Sequence, residues 1–117
     1  MLTPTISFAD FEKVDIRLGE VVRVEAFPEA RNPSYRLWID FGPELGIKQS
    51  SAQIIKNQTK DDLLGRQVIC VVNFAPKFIA GFKSEVLTLG VQDDTADLSN
   101  WVVLTPFKTA RIGGRIK

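Results

Sequence analysis

Two stretches of this sequence carry side chains suited to holding a ligand. The segment Asn73–Gly90, NFAPKFIAGFKSEVLTLG, crosses a proline, sets Lys77 and Lys83 among Phe78, Phe82 and a glycine, and then resumes as a strand. Cations contact phosphate while a ring stacks on an unpaired base, which is how single-stranded or looped RNA is held. Asn73, Lys77, Lys83 and Ser84 are placed by this reading at the rim of the scaffold. The competing reading folds Phe78, Ile79 and Phe82 back into a core, and the usual burial of phenylalanine favours it for Phe82. The second stretch is Lys48-Gln49-Ser50-Ser51-Ala52-Gln53. Strand interiors seldom hold so much small polar side chain. Short hydroxyls and amides either let a ligand backbone approach and offer it donors and acceptors, or form a solvated strand face bonded locally.

Other chemistries are excluded by composition. Histidine is absent, which removes Ser-His-Asp and Cys-His catalysis and histidine-ligated metals. Ser50 and Ser51 therefore have no base to activate them. A single cysteine, Cys70, rules out both an internal disulfide and structural zinc, and its apolar setting suits a reducing compartment. Asp61-Asp62 reads as helix N-terminal charge favoured by the dipole. Asp93, Asp94 and Asp97 lack the glycine and closing glutamate of a calcium loop, and Gly113-Gly114 does not open a helix after a strand as a dinucleotide fingerprint requires. The expectation is a binding protein, not an enzyme, with no catalytic residue, metal or cofactor.

The elements that must position these residues follow from the apolar pattern. At 117 residues the chain suits one domain with one modest core. Hydrophobic residues at 44% and charged residues at 25% are an ordinary globular balance. A net charge of +1 gives no global attraction to nucleic acid, so any such binding needs a local patch. No signal-peptide pattern or membrane-length apolar run is visible, and a cytoplasmic protein without membrane insertion is expected.

Ser7 to Lys13 predicts a capped helical turn whose Phe8 and Phe11 need a surface to cover, on this domain or a neighbouring subunit. Alternation of Val14, Ile16, Leu18, Val22 and Val24 with polar residues predicts a long half-buried strand to Ala26, bent at Gly19. Tyr35, Leu37, Ile39 and Phe41 share one face of a second strand, with Arg36, Trp38 and Asp40 on the other. Ile47–Ile54 is a third strand. Thr59 caps a short helix that stops at Gly65. Val68–Val72, Glu85–Val91 and Trp101–Leu104 complete the strands. Many short strands, a bent first strand and one helix between the third and fourth describe an all-β OB-type barrel, while periodicity alone leaves other small barrels open.

Three ordered motifs then become recognisable: FEKVDIRLGEVVRVEAFPEAR (Phe11–Arg31), YRLWIDFGPELGIKQSSAQI (Tyr35–Ile54) and VVNFAPKFIAGFKSEVLTLG (Val71–Gly90). Together they resemble the CsaA proteins of the tRNA-binding-domain family of OB folds, a domain also appended to methionyl- and phenylalanyl-tRNA synthetases. The likeness runs from about 11 to 104, the expected barrel core. It implies an OB-fold, a five-stranded Greek-key barrel with short helices and N- and C-terminal extensions, a homodimer built through those extensions, recognition of tRNA by shape, and an export-related chaperone activity toward unfolded or pre-secretory polypeptides. Carried over by position, the tRNA surface involves Lys48, Ser50, Ser51 and Gln53, then Asn73, Lys77, Lys83, Ser84 and Glu85, with Arg36 beside them. The peptide reading uses the apolar positions Phe27, Phe78 and Ile79. The tail departs from the family pattern of Pro-Asp and Val-Pro: Pro106 precedes Phe107, Ala110-Arg111 replaces the second pair, and Gly113, Arg115 and Ile116 fit.

Overall fold

The structure is a computed structural model and describes residues 2–117. Helix α1 (Phe8–Glu12) starts at Ser7, whose hydroxyl accepts from the Asp10 N–H while the Asp10 carboxylate accepts from the Ser7 N–H. Strands β1 (Ile16–Ala26), β2 (Tyr35–Asp40) and β3 (Ile47–Ala52) follow, then helix α2 (Lys60–Leu63) and β4 (Gln67–Val71). The short strands β5 (Lys77–Ile79), β6 (Phe82–Ser84), β7 (Leu87–Thr88), β8 (Gly90–Gln92) and β9 (Trp101–Val103) complete the chain.

The main sheet runs β3-β2-β1-β4-β7, antiparallel throughout. It curls until β3 faces β7, where the Ser50 and Thr88 hydroxyls meet at 2.8 Å and the Glu85 N–H donates to the Gln49 carbonyl at 2.8 Å. The result is the expected OB-like barrel. β1 joins its two sides: Ile16–Glu20 pair with β4 and Glu20–Ala26 with β2. At Gly19 a Cβ would lie 2.4 Å from Ile39 Cγ2 and under 3 Å from the Phe41 ring. Glycine is therefore demanded there by the core side chains packed against β1.

Strict alternation fails along β1. A register shift between Val21 and Arg23 lets Val21 fill the core while Val22 is exposed. Leu18 is buried but lies outside the central cluster of Val21, Leu37, Ile39, Phe41, Leu63, Val68 and Cys70. A bulge adds one residue to one strand and swaps the faces beyond it, so the face predicted from Leu18, Val22 and Val24 is split between two surfaces. β2 behaves as predicted, with Tyr35, Leu37, Ile39 and Phe41 all buried.

α2 carries Leu63 into the core, capped by Thr59. The backbone and hydroxyl hydrogen bonds from Thr59 hold the Asp62 carboxyl below its ordinary 3.8. Burial pushes the Cys70 thiol up to about 12. The tail lies along the first half of β1: Gly113 N–H donates to Leu18 O at 2.7 Å and Ile116 N–H to Ile16 O at 2.8 Å. Arg17 and Arg115 both reach Asp15 here, and Arg115 also donates to Glu12 O at 2.6 Å.

Candidate nucleic-acid interface

The segment between the predicted strands Val68–Val72 and Glu85–Val91 holds a β-hairpin. β5 pairs with β6 through Lys77↔Ser84, Phe78↔Lys83 and Ile79↔Phe82. Its two turn residues both have positive φ, 46° at Ala80 and 81° at Gly81. That combination matches the right-handed twist of a two-residue hairpin. The predicted fifth strand, Glu85–Val91, is instead divided at Leu89 between β7 in the barrel and β8, which pairs with β9.

The hairpin is fastened to the outside of the barrel along β2 and β3. The Ser51 N–H donates to the Ser84 hydroxyl at 3.0 Å. Gln49 accepts the Trp38 indole N–H on its side-chain Oε1 at 3.1 Å and donates its side-chain Nε2 to Lys83 O at 2.9 Å. Its own N–H donates to Glu85 Oε1 at 3.1 Å. Phe82 closes the attachment, edge-on to Phe27 at 5.5 Å and to Trp38 at 5.7 Å between ring centres. The Arg36 guanidinium covers Phe27 at 5.1 Å and pairs with Glu25 at 3.3 Å; Arg23 lies over Trp38 at 4.4 Å and also pairs with Glu25. Each cation here sits on a ring face, where the quadrupole attracts it.

Between the hairpin and β3 lies an open cleft of about 670 Å³. It gathers Ser51, Gln53, Lys77, Ser84 and Glu85 from the expected RNA surface and Phe78 and Ile79 from the expected peptide surface. Candidates for the two ligands thus share one place. Lys77 and Lys83 are exposed and form no ion pair among the described residues. The Glu85 carboxylate is already engaged, by the Gln49 N–H and, at 3.9 Å, by Lys48.

Two expected contacts are corrected by burial, two others already have partners, and two more lie outside the cleft lining. Ser50 is fully buried against Thr88. Adjacent strand residues face opposite sides, so Ser50 and Ser51 cannot both meet one ligand, and Ser51 is the one in the cleft. Phe27 is only 2% exposed and belongs to the aromatic cluster under Phe82, so it offers no peptide surface. The Arg36 charge is engaged by Glu25 and two rings. The Asn73 amide accepts from Asp15 N–H at 3.0 Å and donates to Lys13 O at 2.8 Å, tying the hairpin's approach to the N-terminal segment. Lys48 and Lys83 are outside the residues lining the cleft.

Three residues that matter were not singled out from the sequence. Gln49 was visible within the polar strand, but its role as the link between Trp38 and Lys83 depends on the hairpin folding over it. Arg31 belongs to the Pro28–Pro33 turn, which carried no signal beyond its prolines. Phe74 is 57% exposed and lines the cleft with Arg31; its place beside Asn73 and before Pro76 was the available clue.

Residues 16–115 match the family described as "Putative tRNA binding domain". The chain belongs to this family. It is 48% identical to the crystal structure of chaperone CsaA from Bacillus anthracis str. Ames, with a TM-score of 0.87 over 97% of this chain and 100% of that one. The CsaA chaperone protein from Picrophilus torridus is 44% identical, with the same TM-score and coverage. A methionine–tRNA ligase of Thermococcus onnurineus (strain NA1) is 35% identical over 112 residues. That match takes in 96% of this chain and only 14% of the ligase, so this chain corresponds to a small part of the synthetase.

Proposed function

We propose that this protein binds tRNA without catalysing a reaction, through the cleft and the hairpin that overhangs it. The observation that carries the reading is a set of cations without an ion pair among the described residues, Lys77, Lys83 and Arg31, together with the exposed rings of Phe74 and Phe78 in a chain of this family. The other hairpin contacts fix the position of Lys77, Phe78 and Lys83. Ser51, Gln53, Ser84 and Glu85 supply the polar floor.

A homodimer is part of this proposal. α1 has no buried residue, and Ile6, Phe8 and Phe107 stand in solvent. The N-terminal segment and the tail meet through Arg115 and Glu12, so a second copy can cover both. Two weak patches on one rigid body act with an effective concentration neither has alone, which answers the near-neutral net charge. Among the described residues no helix is long and apolar enough to cross a membrane; a cytoplasmic location completes the proposal.

A second reading, capture of unfolded or pre-secretory polypeptide, is favoured by Phe78 and Ile79 lining the same cleft and by the likeness to chaperones named CsaA. Titration of tRNA against salt, for the native protein and Lys77→Ala, tests the first reading. The slope of log affinity against log salt should fall by about 0.7–0.9 per charge removed per bound site. An unchanged slope removes Lys77 from the phosphate contacts. Light scattering tests the dimer, and competition between tRNA and an unfolded client tests whether the two ligands share the cleft.

A further inference from the structure

We infer that the cleft between β3 and the hairpin is a subsite for one unpaired nucleobase, so that the recognised RNA must present a looped-out or terminal nucleotide as well as a shaped backbone. The inference rests on the tRNA-binding reading and narrows it. Recognition of a folded RNA by shape needs only cations and small polar groups along a surface. Here two large rings are left in water at a concave site: Phe78 is 69% and Phe74 57% exposed, and both line the cleft.

Three properties of the site match a nucleotide better than a plain apolar patch. Its volume, about 670 Å³, falls within the roughly 300–1,000 Å³ of small-ligand sites. Its floor keeps hydrogen-bonding capacity in reserve, because the Ser51 hydroxyl and the Gln53 amide form no hydrogen bond with any described side chain or backbone group. Gln53 offers both a donor and an acceptor to a base edge. Lys77 and Arg31 line the same cleft without an ion pair among the described residues, where a phosphate on either side of a seated base would meet them. A face to stack on, an edge to read and a charge to neutralise thus occur together.

The test compares a hexaribonucleotide with the same strand carrying one central abasic site, alongside intact tRNA. The native protein should prefer the intact hexamer by roughly 5- to 150-fold, the equivalent of about 1–3 kcal/mol for one stacked base. Phe74→Leu/Phe78→Leu keeps apolar bulk and removes both ring faces. It should abolish that preference and leave the salt slope unchanged, since no charge is lost. Thermal melting of the variant should match the native protein, because both rings are exposed. Native protein that binds tRNA but treats the two hexamers alike overturns the subsite and spares the tRNA reading. Failure to bind tRNA at all overturns both. A preference that survives in the leucine variant, with an unfolded polypeptide displacing the hexamer equally from both proteins, also overturns it and assigns the cleft to peptide.

Discussion

Phe78 and Phe82 lie four residues apart on the two strands of one hairpin, yet their surroundings differ completely. Phe82 shares a face with Ile79 and Ser84 and is clamped edge-on between Phe27 and Trp38, with the Arg36 guanidinium 5.9 Å from its ring. Phe78 pairs across the hairpin with Lys83 and makes no such aromatic contact; most of it is in water. One side of a two-stranded ribbon is therefore anchor and the other is display. A short hairpin is marginally stable by itself, so an exposed ring can be held ready for a ligand only if its neighbours pin the ribbon elsewhere. Ser84, Gln49 and Phe82 do the pinning, which frees Phe78 and Lys83 on the opposite face; Lys77 lies across from Ser84 on the anchored face and is itself exposed.

Thiol labelling gives the widest separation between packed and free positions. Native Cys70, fully buried with its thiol pushed up to about 12, should react only when the barrel opens, roughly a thousand-fold or more slower than an exposed thiol. In the Cys70→Ser background, Phe78→Cys should react at nearly the rate of a free thiol and Phe82→Cys more slowly. Equal rates at the two hairpin positions would break the comparison.

Truncation of the anchor comes next. Phe82→Ala removes two ring contacts and a cation–π partner. Because the ring is only half buried, the loss should be about 2–3 kcal/mol, less than the roughly 3–5 of a core phenylalanine. Denaturant unfolding measures it, and tRNA affinity should fall with it as the hairpin loosens. Gln49→Ala breaks the bridge from Trp38 to Lys83 and should cost about 1 kcal/mol by the same measurement. Phe78→Ala should change stability by less than about 0.5 kcal/mol while weakening RNA binding. A large stability loss at Phe78 would show that it is part of the anchor.

Much of the frame was legible because it rests on local chemistry. The capping residues Ser7 and Thr59 have side chains that bond their own helix starts, and each helix begins where its cap is read. β2 was legible because its alternation is unbroken from Tyr35 to Phe41. β1 was legible as a strand, but not in its facing. The bulge near Val22 is set by pairing with β2, and no residue there announces it. The hairpin was hidden for a related reason: its turn is Ala80-Gly81, without the Asn-Gly or Asp-Gly pair that usually marks a two-residue turn.

The sequence by itself determined the barrel class, the family and the identity of the polar strand and lysine-bearing segment, since these depend on residue type, spacing and ordered motifs. Only the tertiary structure decided which of those side chains meet. Ser50 and Ser51, adjacent in the chain, are separated by the pleat into interior and cleft. Arg36, Asn73 and Phe27 are committed to partners distant in sequence. Phe74 and Arg31 enter the site from segments with no shared motif. Burial and pairing are properties of long-range contacts, so side chains with the same local signal were divided between holding the hairpin and facing the open cleft.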